Sequence, residues 1–158
     1  MRIAVIGTGY VGLISGLCLS LKHKIKCVDI SVDIVRKINL GIPHIFEENL
    51  KDLLKKQLSS GNFEAISLDK LNLKHIDVVL ICVGTPSLEN GKCDLKFIKS
   101  AVSSLIPLLE DIRHKLSIIL KSTAPPGTVN SEIINVIQKK YPKNLYPNFG
   151  FGMNPEFL

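Results

Sequence analysis

No apolar stretch in this sequence approaches the ~20 residues that a membrane-spanning helix needs, so no membrane partner is expected. Tryptophan is absent, and aromatic residues make up only 6% of the chain. None of them interleaves with the lysines as a platform for nucleic-acid bases would require, so nucleic acid is not an expected partner either. No internal repeat or low-complexity linker is visible. The four cysteines, Cys18, Cys27, Cys82 and Cys93, have spacings that fit neither a zinc site nor a disulfide framework, and no metal is expected. Cys18, Cys27 and Cys82 fall inside apolar segments, where a thiol serves as a small hydrophobe. Met1 runs directly into an apolar strand pattern. That leaves no room for a signal peptide, and a cytoplasmic location is expected.

What is present suits one globular domain: 158 residues, 46% of them hydrophobic. The net charge of +6 would suit a polyanionic ligand. The lysines are scattered, however, at Lys22, Lys24 and Lys26, then Lys51, Lys55 and Lys56. They read as a solvated surface.

Short apolar runs alternate with helical patterns. Strands are expected at residues 3–6, 25–29, 65–68, 77–83, 117–120 and 148–153. Helices are expected at 10–21, 32–40, 50–60, 94–109 and 128–140. Ser31 is placed to cap the second helix and Gly41 to stop it. Asp94 is placed to cap the fourth, which Pro107 is expected to end early. The run DVVLICV at residues 77–83 is nearly all apolar, as in a strand buried on both faces. This order implies an α/β fold of Rossmann type, a doubly wound, mainly parallel sheet with helices on both faces.

The first twelve residues, MRIAVIGTGYVG, carry the sharpest chemistry. An apolar strand leads into Gly7, Gly9 and Gly12, and a helical pattern follows. In a dinucleotide-binding βαβ unit the first glycine makes the tight turn. The second lets a pyrophosphate approach the backbone, and the third lets helix and strand pack closely. The helix N-terminus then offers free N–H groups to the phosphates. Asp29 ends the second strand, about twenty positions past the glycines, where a carboxylate accepts from a ribose 2′-hydroxyl and repels a 2′-phosphate. NAD is therefore expected rather than NADP. Arg36, two helical turns on, reads as a solvated helix residue.

Other unusual residues fall at the strand ends where such sheets bind ligands. They are Gly84, Thr85 and Pro86, then Lys121, Ser122 and Thr123, then Asn154, Pro155 and Glu156. At this point the chain resembles the nucleotide-sugar dehydrogenases that act on UDP-glucose, GDP-mannose and their relatives. The matching segments are GTGYVG at 7–12, NLGIPHIFEENL at 39–50, VGTPS at 83–87 with CDL at 93–95, KSTAPPGT at 121–128 and NPEFL at 154–158. They span essentially the whole chain.

The resemblance implies that a C6 primary alcohol is oxidised twice with NAD. A cysteine captures the aldehyde as a thiohemiacetal, the second oxidation gives a thioester, and water hydrolyses it to the uronic acid. It implies that Thr123 positions a catalytic water and that Glu156 accepts the proton. It assigns Tyr10, Val11, Thr85 and Ser122 to the cofactor beside the three glycines and Asp29. It assigns Glu156, Phe157 and Leu158 to the nucleotide-sugar side. UDP-glucose is the expected substrate, with GDP-mannose or another UDP-sugar the alternative, and the full-length protein is expected to be a homo-oligomer. A stand-alone NAD-binding module is the competing class of reading.

The chain also departs from the family. Ile34 stands where the family often has a basic residue near the adenosine. Glu48 and Asn49 replace its proline-glycine in a segment expected to lie off the cofactor cleft. The sequence stops at Leu158, where family members continue into a connecting helix and a nucleotide-sugar domain that supply the nucleophilic cysteine. The chain is thus expected to be an NAD-binding domain over 1–158, inactive alone. Cys93, just before a helix start, is not expected to replace the missing nucleophile.

Overall fold

The alternation of apolar runs and helical patterns resolves, in a computed structural model describing residues 1–141 and 148–156, into a six-stranded sheet. The strands are β1 (Arg2–Ile6), β2 (Lys24–Asp29), β3 (Phe63–Ser67), β4 (Val78–Ile81), β5 (Leu116–Leu120) and β6 (Phe149–Met153). The helices are α1 (Tyr10–Ser20), α2 (Val32–Asn39), α3 (Leu50–Ser59), α4 (Lys96–Leu109) and α5 (Asn135–Lys140). The strand order is β3-β2-β1-β4-β5-β6, and every neighbouring pair is parallel.

Strand alternation divides the core into two layers. Ile3 and Val5 of β1 face Leu13, Leu17, Ile38 and Leu54 from α1, α2 and α3. Ala4 and Ile6 face the other way, toward Ile98, Val102 and Leu105 of α4 and Ile137 of α5. Helices therefore cover both faces, as the apolar runs demand. Burying one Leu or Ile side chain here contributes about 1.5–3 kcal/mol. The chain winds outward from β1 to β3, then returns to place β4 beside β1 and winds the other way. Connections leave β1 and β4 on opposite faces, which opens a crevice at their carboxyl ends.

Several element boundaries differ from expectation. β3 begins at Phe63, two residues early, because Phe63 and Ala65 are buried while Glu64 pairs with Lys26 of β2 at 3.2 Å. β4 is shorter, since Asp77 turns its carboxylate to the Arg2 N–H at 2.7 Å. Pro107 does not end α4 early. It sits in the last turn, where it removes one intrahelical donor but only two helical residues follow it, and α4 continues to Leu109. The expected helix over 128–140 is split into a wide π-type turn (Val129–Ile134) followed by α5, so Ile133 and Ile137 are buried but Ile134 only half-buried. Cys18 is exposed, contrary to its reading as a small core residue. α1 is apolar all round and buries only the face carrying Gly12, Leu13, Gly16, Leu17 and Ser20.

Candidate cofactor and catalytic site

The glycine turn is built as its spacing requires. Gly7 has φ +94°, and its N–H donates to the Val28 carbonyl at 2.8 Å. A Cβ there would lie 2.8 Å from the Cys82 carbonyl oxygen. Gly12 faces the Gly7 carbonyl so closely that a Cβ would fall 1.9 Å from its oxygen. Gly9 is different in kind. A Cβ built on it meets no atom within 4 Å, so its backbone borders open space at the start of α1. That free backbone, with the first-turn N–H groups of α1 behind it, is the cradle a pyrophosphate needs. Gly16, unremarked in the sequence, lets α1 approach the sheet, since a Cβ there would lie 2.6 Å from Cys27 Sγ.

Two clefts meet at Gly9, each with a cavity volume of about 280 Å³. The first is lined by Gly7, Thr8, Asp29, Ile30, Leu68, Phe97 and Ala101, among others. The second is lined by Tyr10, Val11, Thr85, Lys121, Ser122, Thr123 and Glu156. Gly9, Cys82, Val83 and Gly84 border both. The arrangement is a long groove across the β1/β4 crevice, with an acidic residue at one end and a lysine–glutamate pair at the other.

At the first end, Asp29 is held by three donors. Its Oδ2 accepts from the Thr8 N–H at 3.1 Å and the Thr8 hydroxyl at 2.5 Å, and its Oδ1 from the Ser31 N–H at 2.9 Å. A carboxylate has about four acceptor positions, so one remains for a ribose hydroxyl. Thr8 is completely buried. Only its place between two glycines hinted at this role. Ser31 caps α2 by accepting from the Ile34 N–H. Arg36 pairs with Asp33 along α2 at 2.9 Å and stays largely exposed, the solvated residue it was read as.

At the second end, Lys121 Nζ lies 2.5 Å from Glu156 Oε2 and 3.2 Å from Asn154 Oδ1. The Lys121 side chain is only 13% exposed. The Thr123 hydroxyl donates to the Glu156 carbonyl at 2.8 Å, and the Glu156 N–H to the Lys121 carbonyl at 3.2 Å. Lys121 and Asn154 thus join the expected pair Thr123 and Glu156. Both stood in matching motifs, but nothing in their spacing showed that the lysine would reach across 35 positions to the glutamate. Ser122 turns its hydroxyl to the Val83 carbonyl at 2.6 Å and anchors the strip between the clefts. Thr85 is half-buried on the second cleft's wall. Phe157 and Leu158, expected on the substrate side, lie outside the described residues.

Cys82 borders both clefts, but burial pushes its thiol up to about 12. Smaller opposing effects come from the Lys121 ammonium, which lowers it, and the Glu156 carboxylate, which raises it. Cys27 is raised further, chiefly by complete burial. Both are therefore protonated and poor nucleophiles at neutral pH. Cys93 is half-exposed in a short bridge to Ser87 and lines neither cleft. Among the described residues no cluster of His, Cys, Asp and Glu is arranged to hold a metal ion, and no helix is long and apolar enough to cross a membrane.

The segment before α3 lines neither cleft, in keeping with its expected place off the groove, but it touches a residue that does. Tyr10 lines the second cleft, and its hydroxyl donates to the Glu47 carboxylate and lies 2.9 Å from the Phe46 carbonyl. The hydrogen bond to Glu47 is the main reason the phenol is raised above its ordinary range. Asn49 has φ +61°, a left-handed conformation. Asparagine tolerates it better than other residues bearing a side chain, which explains how it replaces the family's glycine.

A family model described as "UDP-glucose/GDP-mannose dehydrogenase family, NAD binding domain" matches residues 1–158. The chain belongs to this family. A GDP-mannose 6-dehydrogenase from Pseudomonas syringae pv. syringae is 36% identical over 159 aligned positions, covering 100% of this chain and 36% of that protein. A UDP-glucose 6-dehydrogenase from Rickettsia typhi is also 36% identical, covering 100% of this chain and 35% of that protein. A ternary complex of GDP-mannose dehydrogenase from Pseudomonas aeruginosa superposes with TM-score 0.92 at 36% identity, covering 100% of this chain and 36% of that one. A UDP-glucose dehydrogenase from Pyrobaculum islandicum gives TM-score 0.86 at 28% identity, over 99% of this chain and 36% of that one. The chain thus spans about a third of the length of these relatives. Its domain is the family's NAD-binding domain, and the open backbone at Gly9, the α1 N-terminus and the Asp29 carboxylate fit that cofactor.

Proposed function

We propose that this chain is the cofactor-binding part of a nucleotide-sugar 6-dehydrogenase that oxidises the C6 alcohol of UDP-glucose to UDP-glucuronate in two steps. The observation that carries the reading is the Lys121–Glu156–Thr123 cluster facing the same groove as Gly9 and Tyr10. Bound NAD supplies the hydride acceptor. Gly9 and the α1 N-terminus hold its pyrophosphate, and Asp29 accepts from its adenosine ribose. The Glu156 carboxylate, fixed by Lys121, accepts a proton from water or alcohol at the groove's second end. The Thr123 hydroxyl donates to the Glu156 backbone and keeps lone pairs free to orient a water molecule. Thr85 and Val11 line the wall beside them. The family resemblance implies that the covalent nucleophile comes from a further domain, and neither Cys82, held protonated, nor Cys93, outside both clefts, is placed to replace it.

GDP-mannose is the second reading. It is supported by the superposition on the P. aeruginosa GDP-mannose dehydrogenase, TM-score 0.92 against 0.86 for the Pyrobaculum UDP-glucose enzyme, while curated relatives of both names are 36% identical to this chain. The test is NADH formation by the full-length protein offered each nucleotide sugar in turn. Turnover with UDP-glucose, lost on Glu156→Ala, supports the first reading. Turnover with GDP-mannose alone selects the second. Turnover with neither, despite NAD binding, would leave a cofactor-binding module and overturn both.

A further inference from the structure

Residues 41–49, between α2 and α3, carry a family motif that the chemistry above leaves unused. Ile45 packs against the core layer formed by α1, α2 and α3, so the segment is pinned on its inner side. Its outer side reaches α1. Tyr10 is the first residue of that helix, follows Gly9 directly and lines the second cleft with Lys121, Thr123 and Glu156. Its hydroxyl donates to the Glu47 carboxylate and lies 2.9 Å from the Phe46 carbonyl. The ring is thus fixed at both ends, by the helix start and by the segment.

We propose that Glu47 is a positioning residue for Tyr10, holding the phenol ring as a wall of the cofactor groove so that the segment at 41–49 tunes affinity for the dinucleotide. Tyr10 is 42% exposed and has little packing to choose its rotamer. A hydrogen bond to an ionised acceptor is shorter and stronger than a neutral one and selects one ring position before the ligand arrives. A groove wall placed in advance spares the ordering cost of binding. Backbone geometry supports the same role. Asn49 takes its left-handed turn immediately before α3, and the Leu50 N–H donates to the Glu47 carbonyl at 3.2 Å. These two features fix the Glu47 backbone at the start of α3.

The inference rests on the cofactor groove described above, and NADH titration of the 158-residue chain, followed by nucleotide fluorescence, tests both. Glu47→Ala and Tyr10→Phe are each expected to weaken NADH binding by about three- to tenfold, the scale of one net hydrogen bond. The double variant is expected to be no weaker than either single one, since both remove the same contact. Glu47→Gln keeps the side-chain volume and an acceptor oxygen but loses the charge, and is expected to recover only part of the affinity, between Glu47→Ala and wild type, whereas a role through volume alone would give full recovery. Tyr10→Phe is conservative in shape, so its effect is readable even if Glu47→Ala folds poorly. Unchanged affinity in Tyr10→Phe, or strictly additive losses in the double variant, would overturn the proposal while leaving the groove intact. A wild-type chain that binds no NADH would overturn the groove itself, and the proposal with it.

Discussion

Asp29→Ala removes a group with two duties, and their separate magnitudes follow from the structure. The first duty is structural. Thr8 is fully buried, and its N–H and hydroxyl both donate to Asp29 Oδ2. Without the carboxylate these donors lose their partner. Each unsatisfied buried donor costs about 1–3 kcal/mol, but the groove beside them admits water. A net loss of about 2 kcal/mol in folding stability is expected, readable as a lower urea midpoint at unchanged slope. The second duty is recognition. Losing one ribose hydrogen bond to a charged acceptor should weaken NAD by about 1–3 kcal/mol, roughly five- to 150-fold in Kd.

NADP behaves differently. Its 2′-phosphate would meet the carboxylate at close range, where two like charges about 4 Å apart repel by up to about 4 kcal/mol at an effective dielectric near 20. Asp29→Ala removes that repulsion, so the Kd ratio of NADP to NAD should collapse toward one. Calorimetry with both cofactors on wild type and variant is the assay. The reasoning is refuted if the wild-type chain binds the two equally, or if the variant keeps the wild-type ratio. A variant with altered ratio but an unchanged urea midpoint would refute only the structural duty assigned through Thr8.

Glycine variants separate folding from binding. Gly12→Ala places a Cβ 1.9 Å from the Gly7 carbonyl oxygen and should destabilise the fold by about 3 kcal/mol or more. Gly9→Val meets no protein atom at its Cβ and should keep the circular dichroism spectrum while abolishing NAD binding. Alkylation should modify Cys18 readily in the native chain and Cys27 and Cys82 only on unfolding, as peptide mapping would show. The Cys82 thiol is raised to about 12, against about 8.5 when unfolded. Above pH ~8.5 the unfolded state therefore binds fewer protons than the native one, and stability should fall as pH rises toward 12. A flat urea midpoint over that window would contradict the burial assigned to Cys82. The purified 158-residue chain should produce no sustained NADH from UDP-glucose or GDP-mannose. Sustained turnover lost on Cys93→Ser would make it a minimal enzyme.

Most of the sheet was legible because buried parallel strands are short and continuously apolar. β1, β2 and β5 appear within one residue of their expected ends, as their registers all lie between neighbours. The boundaries that moved were those where a polar side chain found a specific partner. Glu64 stayed inside β3 through Lys26, and Asp77 left β4 for the Arg2 backbone. Periodicity reports which face a residue occupies, and says nothing of such pairings. The division of α5 from the wide turn before it has no sequence signal that we can identify.

The site divides the same way. The Gly7, Gly9, Gly12 and Asp29 constellation was readable because each position answers a constraint of backbone approach or charge that only one or two residue types meet. Thr8 and Glu47 were not readable, because each acts through one side-chain contact with a residue 21 and 37 positions away. Many residue types can stand at such positions in other folds without consequence. Once the groove is built, however, the two contacts have a common logic. Asp29 holds Thr8 and so fixes the turn between Gly7 and Gly9, while Glu47 holds Tyr10 on the other side of Gly9. The open backbone at Gly9 is therefore braced from both directions by carboxylates that lie outside the glycine motif. A glycine-rich turn is intrinsically permissive, and a phosphate cradle needs its N–H groups aimed before the ligand binds. The fingerprint permits close approach, and the acidic braces supply the rigidity that makes the approach productive.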